Sequence, residues 1–274
     1  LHQMTDEIFG LYSELYEIAC KEDDTRLKTF ADNQFYGRFL ELPADVVGYN
    51  RYFGWYKEAG SAENFGEWLD LYHNEKEKRP VCLSEYGGGG AISQHKDNVD
   101  WESDIDPVGV RHYENYQSQL HEILWKQFSV RKYLWAEFIW CMFDFASYGR
   151  TEGDTKSLND KGLCTRERIP KDVYFFYRSV WSSEKTVYIT ERRHEFRACD
   201  VPFVKVYSNA DAVELCINDV SYGRISRCEL PNDESTVFVW ENIKIKPDTK
   251  NKICAKAYFS DGTSRTDYAF WTGK

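Results

Sequence analysis

The 274-residue sequence predicts two fold classes in succession. An α/β region over 1–182 holds about four βα units, the C-terminal half of an eight-stranded (β/α) barrel. An all-β region over 183–274 reads as an immunoglobulin-like sandwich. Three observations carry this. Short apolar runs alternate with amphipathic segments up to about residue 182, the pattern of a parallel sheet with crossover helices. Polar, chemistry-bearing residues follow the apolar runs, where a barrel keeps its active site. Beyond residue 182 only short alternating strands follow, the pattern of a sandwich.

The elements follow in order. Met4, Ile8, Tyr12, Leu15 and Ile18 recur at helical spacing and predict a helix over 3–21. A short strand is expected around Lys28–Asp32 and a second over Asp45–Asn50. An amphipathic helix over 61–78 carries Phe65, Trp68, Leu69 and Tyr72. Pro80 opens a third strand, Val81–Glu85, and a Gly-rich polar loop follows. Asp106-Pro107 is the expected cap of a helix running to Phe128, with Tyr113, Tyr116, Leu120, Ile123 and Leu124 on one face. Leu134–Trp140 is the fourth strand, and Lys171–Trp181 the last helix. Four units cannot close a barrel that typically needs ~250 residues, so a half-barrel is expected. In the sandwich, strands are expected at 203–207, 212–217, 237–240 and 253–258. Turns are expected at Asn218-Asp219 and Asp261-Gly262.

Composition narrows the function classes. The chain has 45 acidic residues against 35 Lys and Arg, a net charge of −10, which disfavours nucleic acid or an anionic membrane as partner. No run approaches 18 apolar residues, so no membrane-spanning helix is expected. Residues 1–7 have neither a basic start nor an apolar stretch and do not read as a signal peptide, and the compartment stays unknown. Aromatic residues make up 16%, which suits flat, ring-lined surfaces. The 8 cysteines are irregularly spaced with no C-x-x-C pair, and several sit in apolar runs. They read as buried small hydrophobes rather than a zinc site or disulfide framework.

Glu85 is the foremost chemical candidate. It ends an apolar strand directly before Tyr86-Gly87-Gly88-Gly89-Gly90, where glycines leave room for a ligand beside the carboxylate. A carboxylate fixed there suits attack on an electrophilic carbon; a salt-bridged strand terminus is the plain alternative. Asn50 and Tyr52, in Asn50-Arg51-Tyr52-Phe53-Gly54-Trp55-Tyr56, follow the preceding strand. Asn50 would bond a substrate hydroxyl and Tyr52 would orient Glu85, or the aromatics simply pack. Trp140 ends the fourth strand and offers an indole face to a sugar ring, or fills the core. Asp144 follows as a supporting carboxylate. Asn159 and Lys161, in Asn159-Asp160-Lys161-Gly162, offer an amide and a cation to sugar hydroxyls or a carboxylate, or form a turn. His95 in the Gly-rich loop is a ligand contact or a loop-ordering residue.

These motifs together resemble the family 2 glycoside hydrolases. Asn-Arg-Tyr-x-Gly-Trp-Tyr at 50–56, Ser-Glu-Tyr-Gly at 84–87, and Trp140 with Phe143-Asp144-Phe145-Ala146 match in order. Arg150–Asp154, Asn159–Leu163, Thr165-Arg166, Pro170–Asp172 and Phe175–Trp181 look like the β-galactosidase branch. The resemblance implies retaining hydrolysis through a covalent glycosyl-enzyme on Glu85, with Tyr52 orienting it and Asn50 and Trp140 lining the sugar subsite. It implies a general acid/base in an Asn-Glu pair just before a helix like 3–21. This chain starts at Leu1, so that pair is expected upstream and the chain is expected to be inactive by itself. The expected substrate is a terminal β-galactoside. The alternatives are a β-glucuronide, since Asn159-x-Lys161 also resembles the pair that holds a glucuronide carboxylate, or a non-catalytic carbohydrate-binding fragment. No cofactor is called for, and a divalent cation lacks support. The expected partners are a carbohydrate, and the missing half of the enzyme or a second copy.

Overall fold

The computed structural model describes residues 4–34, 37–231 and 235–274. The chain packs as two compact units, residues 1–88 with 120–141 and residues 89–119 with 142–274.

The first unit opens on helix α1, Asp6–Glu22, whose first turn is capped by the Thr5 hydroxyl accepting from Ile8 N at 3.2 Å. Residue 3 of the expected helix lies outside the described residues. Ile8, Leu11, Tyr12, Leu15 and Ile18 form an exposed apolar stripe. Strand β1 is only Ala31–Asp32, shorter than expected; at Lys28 the carbonyl accepts from both Asp45 N (3.0 Å) and Val46 N (3.3 Å), and the amide donates to the Asp45 carboxylate (2.8 Å). Strand β2 is Val47–Asn50. The helix expected over 61–78 is broken into three. A 3₁₀ turn precedes α2, Phe65–Leu71, and a π turn follows at Tyr72–Lys76. The chain then leaves the helix at Glu77, a buried carboxylate bonded to Tyr49 Oη (2.7 Å) and Arg79 Nε (2.8 Å). Strand β3 is Val81–Tyr86.

The helix expected from Asp106-Pro107 starts later. A single turn, α3 (Trp101–Asp104), precedes it, and Asp106 uses its carboxylate to accept from Val108 N (3.3 Å), closing a local turn in place of a cap. Helix α4 is Glu114–Phe128; Tyr116, Leu120 and Leu124 are buried as its face requires, while Tyr113 lies just ahead of it. Strand β4 is Leu134–Ile139. The sheet order is β1-β2-β3-β4, all parallel, which is half of a (β/α)₈ TIM barrel. Tyr86 packs edge-on against Phe128 of α4, ring centroids 5.0 Å apart.

The second unit carries a small antiparallel pair, β5 (Phe145–Ala146) with β6 (Leu158–Asn159), then helix α5, Asp172–Trp181. The immunoglobulin-like sandwich follows: β7 Val187–Ile189, β8 Phe196–Arg197, β9 Asp200–Ser208, β10 Ala212–Ile217, β11 Val220–Ser226, β12 Val237–Lys244, β13 Lys250–Tyr258 and β14 Ser264–Gly273. One sheet runs β11-β10-β13-β14-β8, the other β12-β9-β7. The four expected strands are present: β10 has the expected bounds, and β9, β12 and β13 run longer than expected. Their inward residues Val204, Val206, Leu215, Phe238 and Ile253 close a core together with Trp271 of β14. Both residues of the expected Asn218-Asp219 turn have positive φ, 50° and 66°, as a tight hairpin requires.

Candidate active site

The candidate nucleophile sits in the first unit, at the C-terminal ends of adjacent parallel strands. Glu85 of β3 stands beside Asn50 of β2 in the ladder. The Tyr52 hydroxyl, just past β2, donates to Glu85 Oε2 at 2.5 Å, and the Ser84 hydroxyl donates to Asn50 Oδ1 at 2.7 Å. Arg51 N donates to the Glu85 carbonyl at 2.8 Å, which ties the loop after β2 to the rim of β3. Burial, and then the hydrogen bond to Glu85, push the Tyr52 hydroxyl far above its ordinary range, so it stays a proton donor. Trp140, at the end of β4, joins the same rim: its amide donates to the Tyr86 carbonyl at 3.0 Å, and its side chain is partly exposed.

The loop after Glu85 depends on glycine. Gly87 has φ +129°, and a Cβ there would lie 2.9 Å from the His121 ring and 3.4 Å from the Trp140 carbonyl. Gly48 lets β2 and β3 approach, since a Cβ would meet Ser84 Cβ at 2.8 Å. Below the rim, burial drives His121 down to about 3, a neutral imidazole, and raises Glu137 of β4. Sequence reasoning missed both. The signal for Glu137 was an acid inside the apolar run Leu-Trp-Ala-Glu-Phe-Ile-Trp.

The remaining candidates belong to the second unit. Asn159 and Lys161 are buried, each 3% exposed, and Asn159 Oδ1 accepts from Lys161 N at 3.1 Å, so the pair forms one tight turn. The turn rests on a buried ionic network. Lys171 Nζ donates to Asp144 Oδ1 (2.8 Å), the Gly90 carbonyl (2.6 Å) and the Asp160 carbonyl (2.8 Å). Burial pushes the Asp144 carboxyl up to about 6, with Lys171 pulling the other way. Burial also raises Asp160, but the hydrogen bond and charge of His112, 2.7 Å away, outweigh it and leave it below the usual range. His95 is tied to the buried Glu114, Nε2 to Oε2 2.9 Å, which orders the Gly-rich loop. Glu114 also accepts from Arg193 Nη1 (2.7 Å) and Asp172 N (3.0 Å), a hub the sequence did not suggest.

Among the described residues, Asp97, Glu191 and His194 place potential metal-ligand atoms within 4.8 Å of one another. The Arg197 guanidinium already bonds Asp97 and lies 3.0 Å from Glu191 Oε2, so an ion would have to displace a resident cation. No helix among the described residues is long and apolar enough to cross a membrane.

Comparison with known proteins accords with this geometry. Residues 10–186 match the model described as glycosyl hydrolases family 2, TIM barrel domain, and residues 201–265 match a domain of unknown function. A beta-glucuronidase of Bacteroides fragilis is 34% identical over 247 residues, covering 89% of this chain and 34% of its own length. The structure of an FMN-binding beta-glucuronidase from Facaelibacterium prausnitzii L2-6 superposes with TM-score 0.84 at 31% identity, covering 99% of this chain and 39% of that one. A structure from Bacteroides fragilis, assigned as a beta-galactosidase, superposes with TM-score 0.85 at 27% identity, covering 97% and 38%. The chain thus spans about a third of the length of the relatives it matches.

Proposed function

The chain belongs to the family 2 glycosyl hydrolases, and from that premise we propose that it carries the nucleophile part of a retaining, exo-acting β-glycosidase site whose substrate is a β-glucuronide. The observation that carries the reading is the 2.5 Å bond from Tyr52 to Glu85 beside Asn50. Glu85 attacks the anomeric carbon, the aglycone leaves, and water later releases the sugar from the ester. Tyr52 holds the free carboxylate in one rotamer before attack, which lowers the reorganisation needed. Asn50 bonds a ring hydroxyl and Trp140 lies against the sugar's C–H face. Retaining enzymes place the second carboxyl ~5–5.5 Å from the nucleophile. The reading assigns that acid/base to a segment outside these residues, supplied by the other half of the barrel or a second copy.

The expectation from sequence leaned to a galactoside. The similarity to beta-glucuronidases, at 34% and 31% identity, together with the Asn159-x-Lys161 pair, supports glucuronide. The structure assigned as a beta-galactosidase, at TM-score 0.85, keeps galactoside as the second reading. The test uses the longest natural polypeptide that contains this chain. It is incubated with glucuronic-acid-configured and galactose-configured aziridines, electrophiles that alkylate a nucleophilic carboxylate, and its peptides are mapped by mass spectrometry. The expected adduct is on Glu85, faster with the glucuronic probe, and absent in Glu85→Gln. An adduct elsewhere, or turnover unchanged in Glu85→Gln, overturns the nucleophile assignment. Labelling by the galactose probe alone selects the second reading.

A further inference from the structure

The outer face of the five-stranded sheet carries cations laid over aromatic rings. Lys250 Nζ lies 4.8 Å from the centroid of Phe270, and Lys252 Nζ 5.3 Å from that of Tyr268. Tyr258 is held between Lys256 Nζ at 5.1 Å and the Arg224 guanidinium at 4.2 Å. The register explains the row. Lys252 pairs with Phe270, and Lys256 pairs with Glu214, which pairs in turn with Arg224, so all lie on the face opposite the buried Ile253, Ala255 and Ala257.

The rings are not sealed by their cations, since Tyr268 is 48% and Phe270 45% exposed. The cations are mostly unneutralised. Among the described residues only Lys252 of the four is in an ion pair, with Asp219 at 3.1 Å. The other carboxylate of the face, Glu214, accepts from the Tyr258 hydroxyl at 2.9 Å. A quadrupole holds a cation in place without cancelling its charge. So a chain with net charge −10 presents one face with an excess of positive charge, interleaved with half-open rings. Lys250, Lys252 and Lys256 fall along one strand over about 20 Å, which suits a polymer rather than a single small anion.

We propose that this sheet face binds an anionic polysaccharide, one bearing uronate or sulfate groups, with ammonium groups on the anions and rings against sugar C–H faces. The inference goes beyond the glycosidase reading and does not depend on Glu85 being a nucleophile. The carbohydrate chemistry of the family favours a polysaccharide over nucleic acid, and single-stranded DNA is an arm of the test.

The test is calorimetry of the full 274-residue chain at 150 mM NaCl against polygalacturonate, dextran sulfate, neutral dextran and single-stranded DNA. Binding to either anionic polysaccharide and none to neutral dextran is expected. Polygalacturonate alone identifies uronate as the ligand group, dextran sulfate alone identifies sulfate, and both together identify charge on a sugar backbone. Lys250→Gln with Lys256→Gln, and separately Tyr268→Ala with Phe270→Ala, should each weaken binding about tenfold. Lys244→Gln, in β12 of the other sheet, should leave it unchanged. Circular dichroism checks that each variant is folded. No binding, equal binding to neutral dextran, tighter binding to DNA, or indifference to both double variants would overturn the proposal. Loss in the lysine variant alone, with the ring variant unchanged, would reduce the face to ion exchange and also overturn it.

Discussion

Replacing Lys171 by Met should destabilise the second unit strongly, and by an amount that grows with pH. Lys171 has no exposed surface and its ammonium fills three acceptors: the Asp144 carboxylate, and the carbonyls of Gly90 and Asp160. Among the described residues, Asp144, 5% exposed, keeps only Gly162 N (2.8 Å) as a further donor partner. Removing one member of a buried ion pair costs about 3–5 kcal/mol when the other stays charged. Asp144 has a way out, however. Its folded-state pKa is already raised from 3.8 to about 6 by burial, against the pull of Lys171. In the native protein this group therefore costs nothing below pH 3.8. Stability then falls as pH rises through 6, by about 3 kcal/mol in full. Without Lys171 the folded pKa climbs further, and the fall continues to higher pH. At pH 5 the carboxyl is protonated in the folded variant, and the loss reduces to about 1–3 kcal/mol for unfilled carbonyls. At pH 8 it is about 3–5 kcal/mol, a shift of about 1–2 M in the urea midpoint. Asp160, which Lys171 also holds down, moves in the same direction and adds to the trend. Urea melts followed by tryptophan fluorescence at the two pH values measure both numbers. A loss at pH 5 as large as that at pH 8, or an unchanged midpoint at pH 8, refutes the reasoning.

Three further outcomes are expected. Tyr52→Phe removes a short charge-assisted bond to Glu85, worth about 1.5–3 kcal/mol, so the melting temperature should fall by about 3–10 °C, and with the carboxylate no longer held in one rotamer the labelling rate of Glu85 should fall about 10- to 100-fold. On the proposed glucuronide reading, Lys161→Ala in the longest natural polypeptide that contains this chain should lower kcat/KM for an aryl β-glucuronide at least tenfold more than for an aryl β-galactoside; equal losses on both would remove Lys161 from carboxylate recognition. Gly87→Ala forces a Cβ to 2.9 Å from the His121 ring at φ +129°, and should cost about 1–3 kcal/mol in thermal unfolding, whereas Gly149→Ala, with open space around it, should cost less.

The strand that carries Glu85 was legible because Val81-Cys82-Leu83 is an apolar run opened by proline and closed by glycines. Helix α5 was legible for a similar reason, its buried Val173, Phe176 and Tyr177 recurring at helical spacing. The false start at Asp106-Pro107 shows where local chemistry has two solutions. An acid before proline can cap a helix or close its own turn, and only the surrounding chain decides. The hub at Glu114 was invisible for another reason. An acid in the first turn of a helix is ordinarily a solvated partner of the dipole, and nothing in the local sequence announces that His95 and Arg193 will reach it. β1 lies where expected but is shorter; the Asp45 carboxylate takes the Lys28 amide, a contact 17 residues away that no local pattern announces.

The least legible feature is the one that aims the nucleophile. Tyr49 pairs with Leu83 and Asn50 with Glu85, so β3 spends two residues where β2 spends one. On its other side Leu83 pairs with Glu137 and Tyr86 with Ile139, three steps against two. Against β2 the extra residue is Ser84; against β4 the shift falls between Leu83 and Tyr86, after an opposite shift between Val81 and Leu83, so β3 breaks register with both neighbours over the same stretch. Side chains alternate along a strand, so in an unbroken β3 the buried Leu83 and Glu85 would share a face. The bulge turns Tyr86 to the buried side instead, against Phe128 of α4, and leaves Glu85 on the side of Asn50 and within reach of Tyr52. Period-2 reading would have buried the carboxylate under the helix layer. Gly48, which admits Ser84 at a distance no side chain would allow, is what lets the extra residue fit against β2. A glycine on the neighbouring strand, 37 residues before Glu85, thus makes the room that Ser84 takes up beside β2.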